Sequence, residues 1–78
     1  MKEKNWYVVE EYAFNKSDEQ CYKYSSKEAA IKAMKIHFFD NLKIFKEIGA
    51  KLRDFNIEST QYVAYYEDGC FKIYVAEM

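Results

Sequence analysis

The chain has 78 residues, half of them hydrophobic, and its twelve Lys and Arg residues nearly balance its thirteen Asp and Glu residues. This length predicts a single domain spanning residues 1–78. A net charge of −1 gives no overall field to attract the protein to a nucleic-acid duplex or an anionic membrane. With no Pro and only two Gly residues, the composition excludes a disordered chain.

The sequence also limits the compartment in which we expect the protein. Its longest apolar runs are too short to cross a bilayer, and the first residues lack the apolar segment of a signal peptide. We therefore expect a cytoplasmic protein that does not bind membranes, in which Cys21 and Cys70 are reduced thiols. Two isolated cysteines and one histidine do not predict a zinc site.

The first two predicted elements form a hairpin. Trp6–Phe14 is rich in aromatic and β-branched residues, which is typical of a strand. A polar loop at Asn15–Glu19 leads to a short polar strand at Gln20–Tyr24, which we place at an edge of the sheet. Glu10 interrupts the apolar side of the first strand. Because buried carboxylates are rare unless they are paired, we expect Glu10 at a strand end or edge.

A long helix is the clearest local prediction. Ser25 and Glu28 have the spacing of a capping box, so the helix is expected to begin at Ser25 or Ser26. Apolar residues then recur at intervals of three and four and predict one buried stripe. Its members are Ile31, Met34, Phe38, Leu42, Phe45 and Ile48.

Gly49 predicts the end of this helix. The apolar spacing nevertheless continues through Leu52 and Phe55, so we expect a kinked helix or a second short helix at Ala50–Asp54. A single straight helix from Ser26 to Asp54 would be about 43 Å long, which exceeds the size of a typical small globule. A break near Gly49 is therefore preferred.

The last two predicted strands, Glu58–Tyr66 and Cys70–Glu77, form a second hairpin. Asp68 and Gly69 lie between them, and Asp-Gly is a preferred pair for a type I′ turn. Counting outward from this turn gives the residue that lies opposite each position of the two strands. The inferred pairs are Tyr66 with Phe71, Ala64 with Ile73 and Tyr62 with Val75 on an apolar face, and Tyr65 with Lys72 and Val63 with Tyr74 on the reverse.

These elements predict a single small α+β domain in the order β-β-α-β-β. Its sheet would be four-stranded and mostly antiparallel, with one main helix packed on one face. The other face would be open to solvent, a partner or a second copy, and an uncovered face favours a symmetric homodimer. If both hairpins lie in one sheet, this open face holds Tyr7, Val9, Val63, Tyr65, Lys72 and Tyr74.

Eight Tyr, six Phe and one Trp residues exceed what the core of such a small domain needs. Tyr is enriched in protein interfaces, and aromatic sheet faces stack bases in RNA-binding modules. We therefore predict a partner-binding site at Tyr65, Tyr74, Lys72 and Tyr7. Ordinary strand composition explains the same residues. A protein partner is preferred over nucleic acid because Arg53 is the only arginine.

Phe39 on the outer side of the helix marks a competing surface. It lies among lysines that include Lys43, about 120° from the middle of the apolar stripe at 3.6 residues per turn. A solvated lysine face is the simpler interpretation, but a ring flanked by lysines suits an acidic partner with an apolar pocket. It also suits packing against the Ala50–Phe55 segment. Because interface hot spots favour Tyr over Lys, we rank the tyrosine face first.

The sequence contains no Gly-rich phosphate loop, nucleophile elbow or HExxH motif. His37 is expected to be part-buried and hydrogen-bonded, with Asp40 within reach three residues on. We therefore predict a non-enzymatic module, without cofactor or metal, that binds a larger protein. Small inhibitors and regulators encoded by phages and mobile elements act in this way by covering a surface of their target. The alternative is a single-stranded RNA-binding module that uses the tyrosine face.

Overall fold

A computed structural model describes residues 5–14 and 17–77 of the chain. Its elements are β1 (Trp6–Ala13), β2 (Ser17–Tyr24), α1 (Lys27–Glu47), β3 (Leu52–Ile57), β4 (Gln61–Tyr66) and β5 (Gly69–Glu77). The strands form one sheet in the order β2-β1-β5-β4-β3, and each neighbouring pair is antiparallel. The predicted α+β architecture with one helix is confirmed, but the sheet has five strands rather than four.

The first hairpin is longer than predicted. β2 already begins at Ser17 instead of Gln20, and Asn15 and Lys16 of the predicted loop lie outside the described residues. β2 is an edge strand, as expected from its polar sequence. β1 lies between β2 and β5, so that Glu10 is on an inner strand of the sheet.

Ser26 is the residue that starts α1. Its Oγ accepts a hydrogen bond from the backbone N–H of Ala29 at 3.2 Å, so Ser26 is the N-cap. The predicted capping box of Ser25 with Glu28 is wrong, because with Ser26 at the cap the third helical residue is Ala29. Glu28 lies in the first turn instead, where a carboxylate interacts favourably with the helix dipole.

The helix ends close to the predicted position. Its last residue is Glu47, and Gly49 adopts a left-handed conformation with φ of 87°, which reverses the chain direction. The predicted short helix at Ala50–Asp54 is wrong, because the chain enters strand β3 at Leu52.

A β-bulge at the start of β3 explains this error. Leu52 and Asp54 lie opposite adjacent residues of β4, so Arg53 between them has no partner of its own. The bulge therefore places Leu52 and Phe55 on the same face of the sheet although they are three residues apart. A spacing of three residues within one face is normally a helical signal.

The core lies between α1 and one face of the sheet. Phe38 is fully buried, and its ring centroid lies 5.1 Å from that of Tyr62 and 5.5 Å from that of Phe71. Ala30 and Ala33 are also buried in α1, and their small side chains let the helix approach the sheet closely. The other large side chains with no exposed surface are Phe71, Met34, Val8 and Ile73.

The predicted apolar stripe of α1 is confirmed at its centre and wrong at its end. Met34 and Phe38 are buried, and Ile31, Leu42 and Phe45 are half-buried against the core. Ile48 is 73% exposed, because it is the C-cap residue from which the chain turns away towards β3.

The second hairpin has a different turn from the one predicted. Tyr66 pairs with Gly69, so Glu67 and Asp68 form the turn and Gly69 belongs to β5. Each predicted partner is thereby displaced by two residues along the strand. Because side chains alternate with a period of two, this displacement leaves every side chain on its predicted face.

Gly69 is needed for a close approach rather than for the turn. A Cβ atom there would overlap the carbonyl oxygen of Ala13 and lie 2.5 Å from Cδ1 of Phe14. Because this backbone oxygen cannot move independently, we expect Gly69→Ala to lower the free energy of unfolding by at least about 2 kcal/mol, measured by urea denaturation. Gly49→Ala is the matched control, since no atom lies within 4 Å of its Cβ position. Gly49→Ala should lower the free energy of unfolding by only about 1 kcal/mol, because alanine is strained at the positive φ of this position. An equal decrease in both variants would contradict the close approach at Gly69.

Candidate functional site

The predicted tyrosine set lies on the sheet face that α1 does not cover. Val9 of β1 pairs with Tyr74 of β5, and Val63 of β4 pairs with Lys72, so these side chains share one face. The predicted common face is therefore confirmed, whereas its role in binding stays a prediction. We call it the outer face, and its predicted site residues are Tyr7, Tyr65, Lys72 and Tyr74.

These four predicted site residues do not form one cluster. Tyr7 lies opposite Ala76 of β5, and Tyr65 lies opposite Cys70. Residues 76 and 70 are separated by about 20 Å along a strand. Tyr7 and Tyr65 are therefore at different ends of the outer face, and the other two residues lie between them.

Glu11 occupies the middle of the outer face. Its carboxylate accepts a hydrogen bond from Tyr74 Oη at 3.2 Å and lies 3.4 Å from Lys72 Nζ. The same Nζ lies 5.1 Å from the centroid of the Tyr74 ring. Burial and the hydrogen bond to Glu11 raise the pKa of Tyr74. These polar groups already have partners within the protein, and a new partner would have to replace those interactions.

The outer face also exposes little apolar surface. Val9 and Val63 are only 4% and 7% exposed, because longer neighbouring side chains cover them. Among the described residues of this face, Tyr65 is the one large hydrophobic side chain that is widely exposed, at 43%. An interface here would therefore depend mainly on a single ring.

Strand β3 presents a different surface on the helix side of the sheet. Phe55 pairs with Ala64 and Ile57 pairs with Tyr62, so Phe55 and Ile57 point to the same side as the core. The bulge adds Leu52 to this row. The three side chains are nevertheless 53%, 45% and 44% exposed for Phe55, Ile57 and Leu52, because α1 packs on β5 and β1, and more lightly on β2 and β4.

Phe39 forms the opposite wall of this uncovered surface. It is 54% exposed, and its ring centroid lies 6.5 Å from that of Tyr62, the partner of Ile57. Towards the end of α1, a recess of about 240 Å³ is lined by Leu42, Lys46, Ala50, Leu52 and Tyr66. We call this surface the α1–β3 groove, and its exposed apolar residues are Phe39, Leu52, Phe55 and Ile57.

Lysines surround Phe39 on the outer side of α1. They precede or follow it by four or seven positions, which places them along the same side of the helix. All are exposed, and none forms an ion pair within the part of the chain that the structure describes. They are Lys32, Lys35, Lys43 and Lys46. The predicted site residues Phe39 and Lys43 thus lie on the opposite side of the sheet from the predicted tyrosines.

A chain of hydrogen bonds links α1 to β1 beneath the helix. Glu10 is 5% exposed, and its Oε2 lies 2.5 Å from Nδ1 of His37. Its Oε1 accepts a hydrogen bond from Tyr12 Oη at 2.5 Å, and Asn41 Nδ2 donates to the same hydroxyl at 2.8 Å. The predicted edge position of Glu10 is therefore wrong, because His37 from α1 and Tyr12 from β1 itself satisfy the carboxylate inside the protein.

His37 is part-buried and hydrogen-bonded as predicted, but its partner is Glu10 and not Asp40. The ring of Tyr22 packs edge-on against the imidazole at 5.0 Å. Burial and the hydrogen bond to Glu10 raise the pKa of Tyr12 well above its usual value. Within the described residues every buried polar side-chain atom has a hydrogen-bond partner, so this network serves to position α1 on the sheet.

Neither a metal site nor a membrane span is found in residues 5–14 and 17–77. No group of three or more His, Cys, Asp or Glu side chains there could hold a metal ion, and no helix in these ranges is long and apolar enough to cross a membrane. Comparison with protein-family models, curated proteins and solved structures gives no match to this chain. The function is therefore inferred from the surfaces themselves.

Sequence reasoning found Phe39 but missed the three β3 residues of the α1–β3 groove. A signal for them was present, because Phe55 and Ile57 flank the polar Asn56 in the alternation of a half-buried strand. The polar segment Glu58–Thr60 that follows is the connection to β4. The continuing helical spacing at Leu52 obscured this alternation.

Proposed function

We propose that this protein is a non-enzymatic protein-binding module whose partner binds in the α1–β3 groove. The observation that carries the proposal is that four large apolar side chains beside the buried core are each about half exposed. Single exposed apolar residues are common, but a contiguous apolar surface rimmed by charged residues is typical of an interaction site. The four residues are Phe39, Leu52, Phe55 and Ile57.

The groove is a better candidate than the outer face on energetic grounds. Binding energy concentrates in large side chains that become fully desolvated, and the groove offers four of these while the outer face offers Tyr65. On the outer face, Lys72 and Tyr74 are already engaged by Glu11. A partner there would gain less apolar contact and would disturb existing polar interactions.

The proposed mode of action is occlusion. A module of this size, bound through one apolar groove, inhibits or regulates a larger protein by covering part of its surface, as small phage and mobile-element proteins do. We place this activity in the cytoplasm, where the free thiols of Cys21 and Cys70 would remain reduced.

Binding of single-stranded RNA is less well supported. The outer face carries Glu11, and Glu19 lies beside it on β2, so two carboxylates would oppose the phosphate backbone. Lys72 is partly neutralised by Glu11 at 3.4 Å. An RNA complex would also weaken steeply as salt is raised, because counterions are released when phosphates are bound.

Substitutions in the groove test the proposal. With the partner captured from cells that express the protein, Phe39→Ser and Phe55→Ser should each weaken binding by about 2 kcal/mol, measured by isothermal titration calorimetry. Both side chains are about half exposed, at 54% and 53%, so neither change removes a core residue.

Tyr65→Ser is the matched control, since Tyr65 is 43% exposed but lies on the outer face. It should leave the affinity for the partner unchanged, and raising the salt concentration should weaken the complex much less than counterion release weakens an RNA complex. Loss of binding in Tyr65→Ser with normal binding in both groove variants would contradict the proposal. A steep salt dependence would favour the RNA alternative.

A further inference from the structure

We infer that the α1–β3 groove accepts an acidic amphipathic α-helix of about three turns from the partner protein. This inference rests on the proposed function and specifies the partner segment that the groove fits. Width, length, edge chemistry and charge each constrain that segment.

The width of the sheet leaves room for a second helix beside α1. Neighbouring strands are about 4.8 Å apart, so five strands span about 19 Å. α1 packs mainly on β1 and β5, near the middle of the strand order β2-β1-β5-β4-β3. Packed helices lie about 8–10 Å apart, which places the axis of a second helix between β4, whose side chains on the helix side are already buried, and β3. The exposed row of Leu52, Phe55 and Ile57 lies there.

The length of the exposed row sets the length of the bound helix. Leu52–Ile57 contains six residues and therefore extends over about 17–20 Å at the rise of a strand. A helix covers this distance with about 11–13 residues, or three turns. One apolar stripe on such a helix would contact β3 on one side and Phe39 on the other.

The edge of β3 is poorly suited to pairing with an added strand. The backbone N–H of Phe55 donates to Oδ1 of its neighbour Asp54 at 2.8 Å, and the bulge at Arg53 disturbs the regular ladder. A strand added beside β3 would also leave the apolar row uncovered, because that row faces the helix side of the sheet and not its edge. A helix laid over β3 covers the row.

Charge selects an acidic partner. The wall formed by α1 carries exposed lysines without ion pairs among the described residues, including Lys35 and Lys46 on the two sides of Phe39. Acidic residues along the flank of the bound helix would complement them. A second copy of this chain that docked with its own α1 in the groove would instead bring lysines against lysines, so the charge pattern opposes self-association through α1.

Two display libraries provide the test. Both contain peptides of about 14 residues, which is about one helical turn longer than the expected three turns. The apolar positions are randomised among apolar residues, and the remaining positions are drawn equally from acidic, basic and neutral residues. One library has its apolar positions at helical spacing and the other has them at every second residue. Selection uses the whole protein, and synthetic copies of the enriched peptides are then titrated by fluorescence anisotropy.

We expect the enriched peptides to be helical in pattern and acidic. Phe55→Ser should weaken their binding at least about tenfold, whereas Tyr65→Ser should not. Combining Lys35→Glu with Lys46→Glu should reduce the affinity for acidic peptides and raise it for their basic counterparts, each by about tenfold. Circular dichroism of each variant shows whether it is folded before it is compared.

Three results would overturn the inference and can be told apart. Enrichment of strand-patterned or basic peptides that still need Phe55 would refute an acidic helix but leave the proposed groove in place. Binders that tolerate both Phe39→Ser and Phe55→Ser would refute the groove itself. A dimer detected by light scattering and lost in Phe55→Ser would identify the occupant as a second copy.

Discussion

Replacing Phe38 with Ala is expected to lower the free energy of unfolding by about 3–5 kcal/mol. Phe38 has no exposed surface and contacts the rings of Tyr62 and Phe71 from the centre of α1. The truncation removes these contacts and leaves a cavity that the surrounding strands cannot fill. Because small domains are stable by only about 5–15 kcal/mol, this loss is a large fraction of the total stability.

Urea denaturation followed by circular dichroism measures this effect. Phe39→Ala is the matched control, since the next residue of the same helix is 54% exposed, and it should change the free energy of unfolding by less than about 1 kcal/mol. Phe45→Ala should fall between the two because Phe45 is half-buried. A Phe38→Ala variant with the midpoint of the parent protein would show that α1 is packed by a different face.

Replacing Glu10 with Leu is expected to cost about 2–3 kcal/mol although it removes a buried charged residue from the core side of the sheet. The cost arises from the groups left behind. Tyr12 Oη loses its acceptor at 2.5 Å, and His37 Nδ1 loses its partner at the same distance. Both groups are part-buried, so each incurs part of the desolvation cost of a fully buried polar group without a partner.

A combined substitution separates this explanation from simple loss of packing. Glu10→Leu together with Tyr12→Phe and His37→Leu removes the carboxylate and both groups that bonded it. Asn41 then loses the Tyr12 hydroxyl as its acceptor, but Asn41 is only half-buried and can bond water instead. The triple variant should therefore have a free energy of unfolding within about 1 kcal/mol of the parent, measured by urea denaturation at neutral pH. If it were as unstable as Glu10→Leu alone, the hydrogen-bonded network would not be the source of the effect.

The features predicted correctly from the sequence are those that depend on local spacing. The start of α1, predicted at Ser25 or Ser26 and found at Ser26, the break at Gly49 and the buried position of Phe38 follow from patterns within a few residues. The outer face was also predicted correctly despite the wrong turn, because displacing a register by two residues preserves the side on which each side chain lies. Tyr65 and Lys72 thus share a face in both registers.

The features that were missed depend on contacts between distant parts of the chain. Glu10 looks misplaced on an apolar strand until His37 is brought to it by α1, 27 residues later in the sequence. Gly69 has the sequence context of a turn residue, and its actual role depends on the close packing of Phe14 against it. β3 was missed because its bulge at Arg53 gives a strand the spacing of a helix. The relations at Glu10 and Gly69 are absent from any local pattern, whereas the local alternation at Phe55 and Ile57 was present but obscured by the helical spacing at Leu52.

The position of the candidate site changed for a related reason. Counting elements predicted that one helix would cover one whole face of the sheet and leave only the other face open. The additional strand β3 makes the sheet wider than the helix, so part of the helix side is open as well. The competing surface at Phe39 thereby gains three apolar neighbours from β3. The α1–β3 groove is therefore preferred over the outer face as the candidate site.

Methyl NMR tests most directly whether the partner binds in the α1–β3 groove. The chain supplies matched probes, because the methyl groups of Leu52 and Ile57 lie in the groove while those of Val9 and Val63 lie on the outer face. In a titration of methyl-labelled protein with the captured partner, the signals of Leu52 and Ile57 should shift or broaden while those of Val9 and Val63 stay unchanged. Shifts at Val9 and Val63 with unchanged signals from Leu52 and Ile57 would contradict binding in the groove.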